Sequence, residues 1–258
     1  MILAVNIGNT NLCLALEVQS QIISYRTHLR KCNTSHNAEQ IVLNFLKEQG
    51  ISSQEISGCI ISSVVPKKNT IVIEAVQRLF SICPILVTSE MDYGIDISYD
   101  KALIGTDRLL CCMAAFFRYK MPVIVYDLGT ATTANIVTEG GIFIGGAILP
   151  GMDTGLMALA KNTALLPKVE QAATVPLIGR NTKECLLSGA SYGTAGFIDN
   201  YTDRINFSLG GKTTVIITGG NALRIIPYLK KEVIYCPNLL LEGLFSLYSK
   251  LNREQNTC

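Results

Sequence analysis

One pattern occurs twice in this chain, and it limits the possible folds more than any other feature. An apolar run, Ile2 to Val5, ends in Asn6-Ile7-Gly8-Asn9-Thr10-Asn11. A second, Val123 to Tyr126, ends in Asp127-Leu128-Gly129-Thr130-Ala131-Thr132. Both place an Asn or Asp, one aliphatic residue and a Gly before small polar residues. The copies stand 121 residues apart in a chain of 258. After the first, Leu12 to Val18 resumes an apolar strand pattern; after the second, Ala134 to Val137 and Ile142 to Ile144 do the same. Gly and Asn suit tight turns, so each copy reads as strand, turn, strand. Two similar α/β halves follow, 1–120 and 121–258, with a boundary near residue 120.

The intervening segments fit that plan. Ile22 to Thr27 offers a third strand. Ala38, Ile41, Val42, Phe45 and Leu46 recur at helical spacing, with Asn37 as cap and Gly50 as stop. Cys59 to Val64 reads as a buried strand, Pro66 opens a helix carrying Val72, Ala75, Val76, Leu79 and Phe80, and Ile85 to Val87 is another strand. Residues 90–104 are polar and irregular, a loop expected to face substrate. Leu109 to Phe117 is an apolar helix. In the second half a helix opens at Asn181, where Glu184 suits a capping box. A strand at Val215 to Ile217, the turn Thr218-Gly219-Gly220-Asn221, a helix from Leu239 and a polar tail at 252–258 complete the chain.

Composition narrows the chemistry. Apolar residues make up 48% and charged ones 16%, enough for a sizeable core. A net charge of +2 provides no electrostatic footprint for nucleic acid. The nine cysteines are odd in number and none shows C-x-x-C spacing, which suggests reduced thiols in a cytoplasmic setting rather than disulfides or a zinc ribbon. No apolar run reaches the length of a membrane span, and the first residues lack a signal-peptide pattern. With only His28 and His36 present, acid–base chemistry falls mainly to the twenty carboxylates.

Two Gly turns at matched places in two halves, facing each other across a cleft, suit phosphate oxygens better than one turn alone would. Asp127 in the second can also hold a cation. Gly105-Thr106-Asp107-Arg108 sets a carboxylate beside a guanidinium at a helix start. It is either an ordinary helix N-terminus or a base and an anion anchor. Gly145-Gly146, Pro150-Gly151 and Thr218-Gly219-Gly220 are either plain turns or close backbone approaches to a nucleotide.

The ordered set Ile61-Ser62-Ser63-Val64-Val65-Pro66, Gly105-Thr106-Asp107-Arg108 and Asp127-Leu128-Gly129-Thr130-Ala131-Thr132-Thr133 resembles type III pantothenate kinases. The resemblance continues through Gly145-Gly146, Pro150-Gly151, Gly179-Arg180-Asn181-Thr182 and Thr218-Gly219-Gly220, nearly the whole chain. It implies two ribonuclease-H-like (actin-like ATPase) domains with a cleft between them, in a homodimer. It implies transfer of the ATP γ-phosphoryl group to the primary hydroxyl of pantothenate, the first step towards coenzyme A, with Mg²⁺ and a monovalent cation, K⁺ or NH₄⁺. Asn6, Ile7, Gly8, Asn9, Thr10, Asn11, Leu12, Cys13 and Thr130 would line the ATP phosphates. Asp107 would be the general base and Asp127 the monovalent-cation ligand. Tyr99, Gly105, Thr106, Asp107, Arg108 and Thr182 would contact pantothenate, Thr182 as a residue the partner subunit could supply.

Two positions depart from the family pattern. Asn6 stands where the family has Asp, keeping an oxygen of similar shape without the charge that favours Mg²⁺. Tyr99-Asp100-Lys101-Ala102 replaces the family's Tyr-Asp-Asn-Pro. Asn6 motivates an alternative reading, a catalytically impaired relative with a binding or regulatory role. Another small-alcohol kinase of the same superfamily is a third.

Overall fold

The computed structural model describes residues 1–119, 121–169 and 174–255. In chain order the elements are β1 (Ile2–Ile7), β2 (Asn11–Val18), β3 (Gln21–His28), α1 (Ser35–Glu48), β4 (Gly58–Ser63), α2 (Asn69–Phe80), β5 (Ile85–Leu86), β6 (Asp96–Ile97) and α3 (Thr106–Tyr119). They continue with β7 (Val123–Leu128), β8 (Ala131–Val137), β9 (Ile142–Pro150), α4 (Met152–Asn162), α5 (Thr182–Leu209), β10 (Thr214–Thr218), α6 (Ala222–Ile225), β11 (Ile234–Tyr235) and α7 (Leu239–Gln255).

The strands form two sheets of the same plan. The first runs β3-β2-β1-β4-β5, the second β11-β10-β7-β8-β9-β6. In each, the first three strands form an antiparallel meander and the other two extend it in parallel: β1 to β4 to β5, and β7 to β10 to β11. Short β6 adds to the outer side of β9. The repeated turn motif therefore marks a duplicated ribonuclease-H-like unit.

Burial explains why these strands form. In β1, Leu3, Val5 and Ile7 point into a core completed by Val42, Phe45 and Leu46 of α1 and Val72, Ala75 and Val76 of α2. In β7, Ile124, Tyr126 and Leu128 join Met152 and Leu156 of α4, Ala195 and Ile198 of α5, and Val215 and Ile217 of β10. Each fully buried aliphatic side chain contributes about 1.5–3 kcal/mol. With a period of two, this leaves Asn6 and Asp127 on the sheet face away from those helices.

By contact the chain divides into two compact units. One takes Met1–Ile95, Asp100–Ala114 and Asn238–Cys258; the other takes Asp96–Tyr99 and Ala115–Pro237. The boundary expected near residue 120 falls on Lys120, outside the described residues. Relative to the expected halves 1–120 and 121–258, the difference lies mainly at the end: α7 packs against β1 and β4 and so belongs with the first unit.

Several local expectations are corrected. Thr34, not Asn37, caps α1, its Oγ1 accepting the Asn37 N–H at 3.1 Å. Gly145 and Gly146 lie inside β9 rather than in a turn. The tail expected at 252–258 is helical through Gln255; 256–258, with Cys258, lie outside the described residues. Helix α4 has no counterpart in the sequence reading. At α5, Asn181 accepts the Glu184 N–H at 3.0 Å, but Glu184 returns its bond to Arg180 N–H at 2.8 Å, one residue before the cap. No described helix is long and apolar enough to cross a membrane.

Candidate active site

In the first unit, the β1–β2 turn is built from Ile7 paired with Leu12, which leaves four residues between them. In the second unit, Leu128 pairs with Thr132 and leaves three. The second turn is thus one residue tighter. Neither Gly8 nor Gly129 has a positive φ. Their N–H groups are taken up inside the turns, Gly8 to the Asn11 carbonyl and Gly129 to the Ala131 carbonyl, both at 2.9 Å. An anion would therefore be met by the residues after the glycine, among them exposed Asn9 and Thr130. The side chains of Ile7, Leu12 and Cys13 are buried, so from these residues only backbone could reach a phosphate.

Asn6 and Asp127 occupy the same place, the fifth residue of a six-residue strand. Asn6 pairs in register with Cys13 and Ser62, Asp127 with Thr133 and Thr218. The Asn6 Oδ1 atom is shielded from solvent and has no hydrogen-bond partner. A buried acceptor left unmatched costs roughly 1–3 kcal/mol, so this atom calls for a donor. Water on a hydrated Mg²⁺ fits that need. Asp127, with threonines beside it on both neighbouring strands, presents the hard oxygen chemistry that suits K⁺ or Mg²⁺. Among the described residues, no group of three or more His, Cys, Asp and Glu side chains could hold a metal by itself.

Gly219 is fixed by Asp127. It sits at φ +94°, and a Cβ there would fall 2.6 Å from Leu128 N and collide with Asp127 Oδ1. Only glycine fits this left-handed backbone at so close an approach. Gly151 plays a related part, its N–H donating to the Thr130 carbonyl at 3.0 Å, while Thr154 Oγ1 donates to the same oxygen at 2.7 Å. Asn221 N–H donates to the Leu128 carbonyl at 2.8 Å, and Arg224 donates to Asn221 Oδ1 at 2.6 Å and to Asp153 Oδ1 at 2.8 Å. This bracing by Asn221, Arg224 and Asp153 was missed in the sequence. The Gly219-Gly220-Asn221 run was its only signal.

In the first unit, Thr106 opens α3, and its Oγ1 lies 2.9 Å from Ser62 Oγ on β4, both residues being buried. The next residue is Asp107, whose Oδ1 accepts the Arg108 N–H at 2.8 Å. A Cβ at Gly105 would overlap that carboxylate oxygen, so a larger residue there would push the Asp107 side chain aside. Part of Asp107 stays exposed, yet its carboxyl is deep enough for burial to raise its pKa above the usual carboxylate range. The Arg108 N–H and guanidinium oppose that rise without cancelling it. A raised carboxylate beside a small anionic substrate can accept a hydroxyl proton.

The remaining expected residues lie in the second unit. Tyr99 follows β6 and sets its ring edge-on to Phe143 at 5.9 Å, over Gly145. Thr182 is exposed as the first residue of α5. A cavity of about 640 Å³ lies between α4 and α5, lined mainly by apolar and small side chains such as Met152, Leu156, Leu159, Gly189 and Gly193. Asp127 and Thr130 are not part of its lining.

A duplicated five-strand unit with an Asn or Asp near the end of its first strand defines the class: ribonuclease-H-like, actin-type phosphotransfer proteins. The sequence profile of the type III pantothenate kinase family matches residues 2–204, and the chain belongs to that family. It is 37% identical to a type III pantothenate kinase from Dictyoglomus turgidum, over 97% of this chain and 99% of that one. One from Dehalococcoides mccartyi is 33% identical, covering 96% of each. In structure the chain is similar to a Baf-family protein from Campylobacter jejuni, with TM-score 0.61 at 18% identity, covering 97% and 99% of the two chains. It is also similar to the activator of 2-hydroxyisocaproyl-CoA dehydratase from Clostridium difficile, solved with bound ADPNP, with TM-score 0.51 at 12% identity, covering 100% and 97%. These two likenesses concern the fold.

Proposed function

We propose that this chain phosphorylates pantothenate with ATP, giving 4′-phosphopantothenate in the first step of coenzyme A biosynthesis. The family match over residues 2–204 carries the reading. The local chemistry supports it. Asp107, raised by burial and held by the Arg108 N–H, would orient the primary hydroxyl and accept its proton as the new O–P bond forms. Arg108 would anchor the pantothenate carboxylate, with Gly105, Thr106, Tyr99 and Thr182 as further contacts.

Residues 6–13 and Thr130 would serve the ATP phosphates, mainly through backbone after the turn glycines. Mg²⁺, when bound, neutralises charge on the β- and γ-phosphates. Asn6 would meet it through water, and Asp127 would hold K⁺ or NH₄⁺, adding positive charge near the transferred group. The same reading includes a homodimer, in which exposed Thr182 is free to reach a neighbouring subunit's substrate.

A coupled assay with pantothenate, ATP, Mg²⁺ and K⁺ tests the proposal. Turnover that requires pantothenate is the expected result. Its absence in both the wild type and Asn6→Asp would sink the reading.

A further inference from the structure

We propose that Asn6 makes the first turn a neutral seat for the hydrated divalent cation that accompanies ATP. In consequence this chain holds that cation through the phosphates, less tightly than a carboxylate at residue 6 would. The inference rests on the ATP reading above and adds which atom receives the cation's water and what that atom lacks.

Three observations carry it. Asn6 Oδ1 is buried and has no partner, while the amide's Nδ2 end lies towards Gly8, 3.9 Å from where a Cβ there would stand. The unmatched end is therefore the acceptor, and the hydrogen of a water molecule would satisfy it. A magnesium-type ion sheds its water reluctantly, and those waters carry the hydrogens required.

The duplication supplies the second observation. Residue 6 in β1 and residue 127 in β7 are equivalent by strand position and by register with the parallel neighbour, yet one is an amide and the other a carboxylate. Uncharged residues flank both positions, Thr133 and Thr218 in the case of Asp127. Cys13, largely buried, and fully buried Ser62 flank Asn6, so no formal charge lies beside it on either paired strand. Third, among the described residues no group of three or more His, Cys, Asp and Glu side chains is placed to hold a metal ion.

An amide oxygen can align a water but brings no formal charge to attract the ion behind it. A carboxylate would do both. Asn6→Asp should therefore tighten divalent binding in the nucleotide complex, and Asn6→Ala should loosen it.

Mn²⁺ is the probe, its free concentration read by electron paramagnetic resonance on the full chain saturated with the non-hydrolysable analogue ADPNP. Asn6→Asp should bind Mn²⁺ about tenfold more tightly than the wild type, and Asn6→Ala several-fold more weakly. Calorimetry in EDTA measures ADPNP binding alone and so separates a change in nucleotide affinity from a change in cation affinity. Equal Mn²⁺ affinity in the wild type and Asn6→Asp, with ADPNP bound to both, overturns this inference alone. Failure of the wild type to bind ADPNP overturns the ATP reading and this inference together. The two variants act in opposite directions, so a folding defect in one leaves the other arm decisive.

Discussion

Ser62 Oγ and Thr106 Oγ1 lie 2.9 Å apart, joining the end of β4 to the first residue of α3 inside the first unit. The bond fixes the start of the helix one residue before Asp107. Ser62→Ala leaves the Thr106 hydroxyl buried without this partner and should lower unfolding free energy by about 1–2 kcal/mol. Urea unfolding checks it. An unchanged midpoint would mean that Thr106 rotates to another acceptor at no cost.

Asp107 gives a signed pH effect. Its pKa is higher folded than unfolded, so folding takes up a proton between the two values, and the group's contribution to stability falls as pH rises through that window. Asp107→Asn removes the loss. It should be more stable than the wild type at neutral pH, with the gap closing below the ordinary carboxylate range. Its turnover should drop about 10²–10⁴-fold. Thermal melts across pH and the coupled assay measure the two effects separately.

Gly219→Ala sets a side chain on a left-handed backbone against Leu128 N and Asp127. Strain and overlap together should cost about 3 kcal/mol. Asp127→Ala, which leaves that backbone intact, should abolish the K⁺ dependence and most turnover. Equal wild-type rates in Na⁺-only and K⁺ buffers would count against a cation at Asp127.

The cysteines report packing. Cys83 and Cys185 are exposed, whereas Cys59 and Cys112 are buried, and burial pushes the Cys112 thiol up to about 12 and the Cys59 thiol higher still. A thiolate is the reactive form. Mass spectrometry after brief alkylation of the native chain should find Cys83 and Cys185 modified and Cys59 and Cys112 protected until denaturant is added.

The strands were legible because burial on one face writes an alternating pattern, as in Leu3, Val5 and Ile7. The duplication was legible because turn chemistry is local. Helix α4 was not: Met157 and Leu159 are exposed, so apolar residues on both sides blur the period. Gly145 and Gly146 read equally as a turn or as a backbone approach to a nucleotide because a sequence does not show which backbone lies opposite. A Cβ at Gly146 would overlap the Ala134 carbonyl across the sheet. Asp107 and Asp127 stood out by motif, but the supports of Asp127 at Gly219, Asn221 and Arg224 depend on contacts across about ninety residues of chain.

The packing of α7 on β1 and β4 has a consequence for biosynthesis. Gly243 lets α7 approach the Leu110 carbonyl, and Gly58 leaves room for Tyr248. A ribosome delivers β1 to β5 first and α7 last, with the second unit's β7 to β11 in between. The unit begun earliest therefore gains α7, its partner for β1 and β4, only after the second unit's strands have been made. A nascent chain stalled before residue 238 would lack the helix that packs on β1 and β4, so the first unit's packing depends on a segment made after the whole second unit.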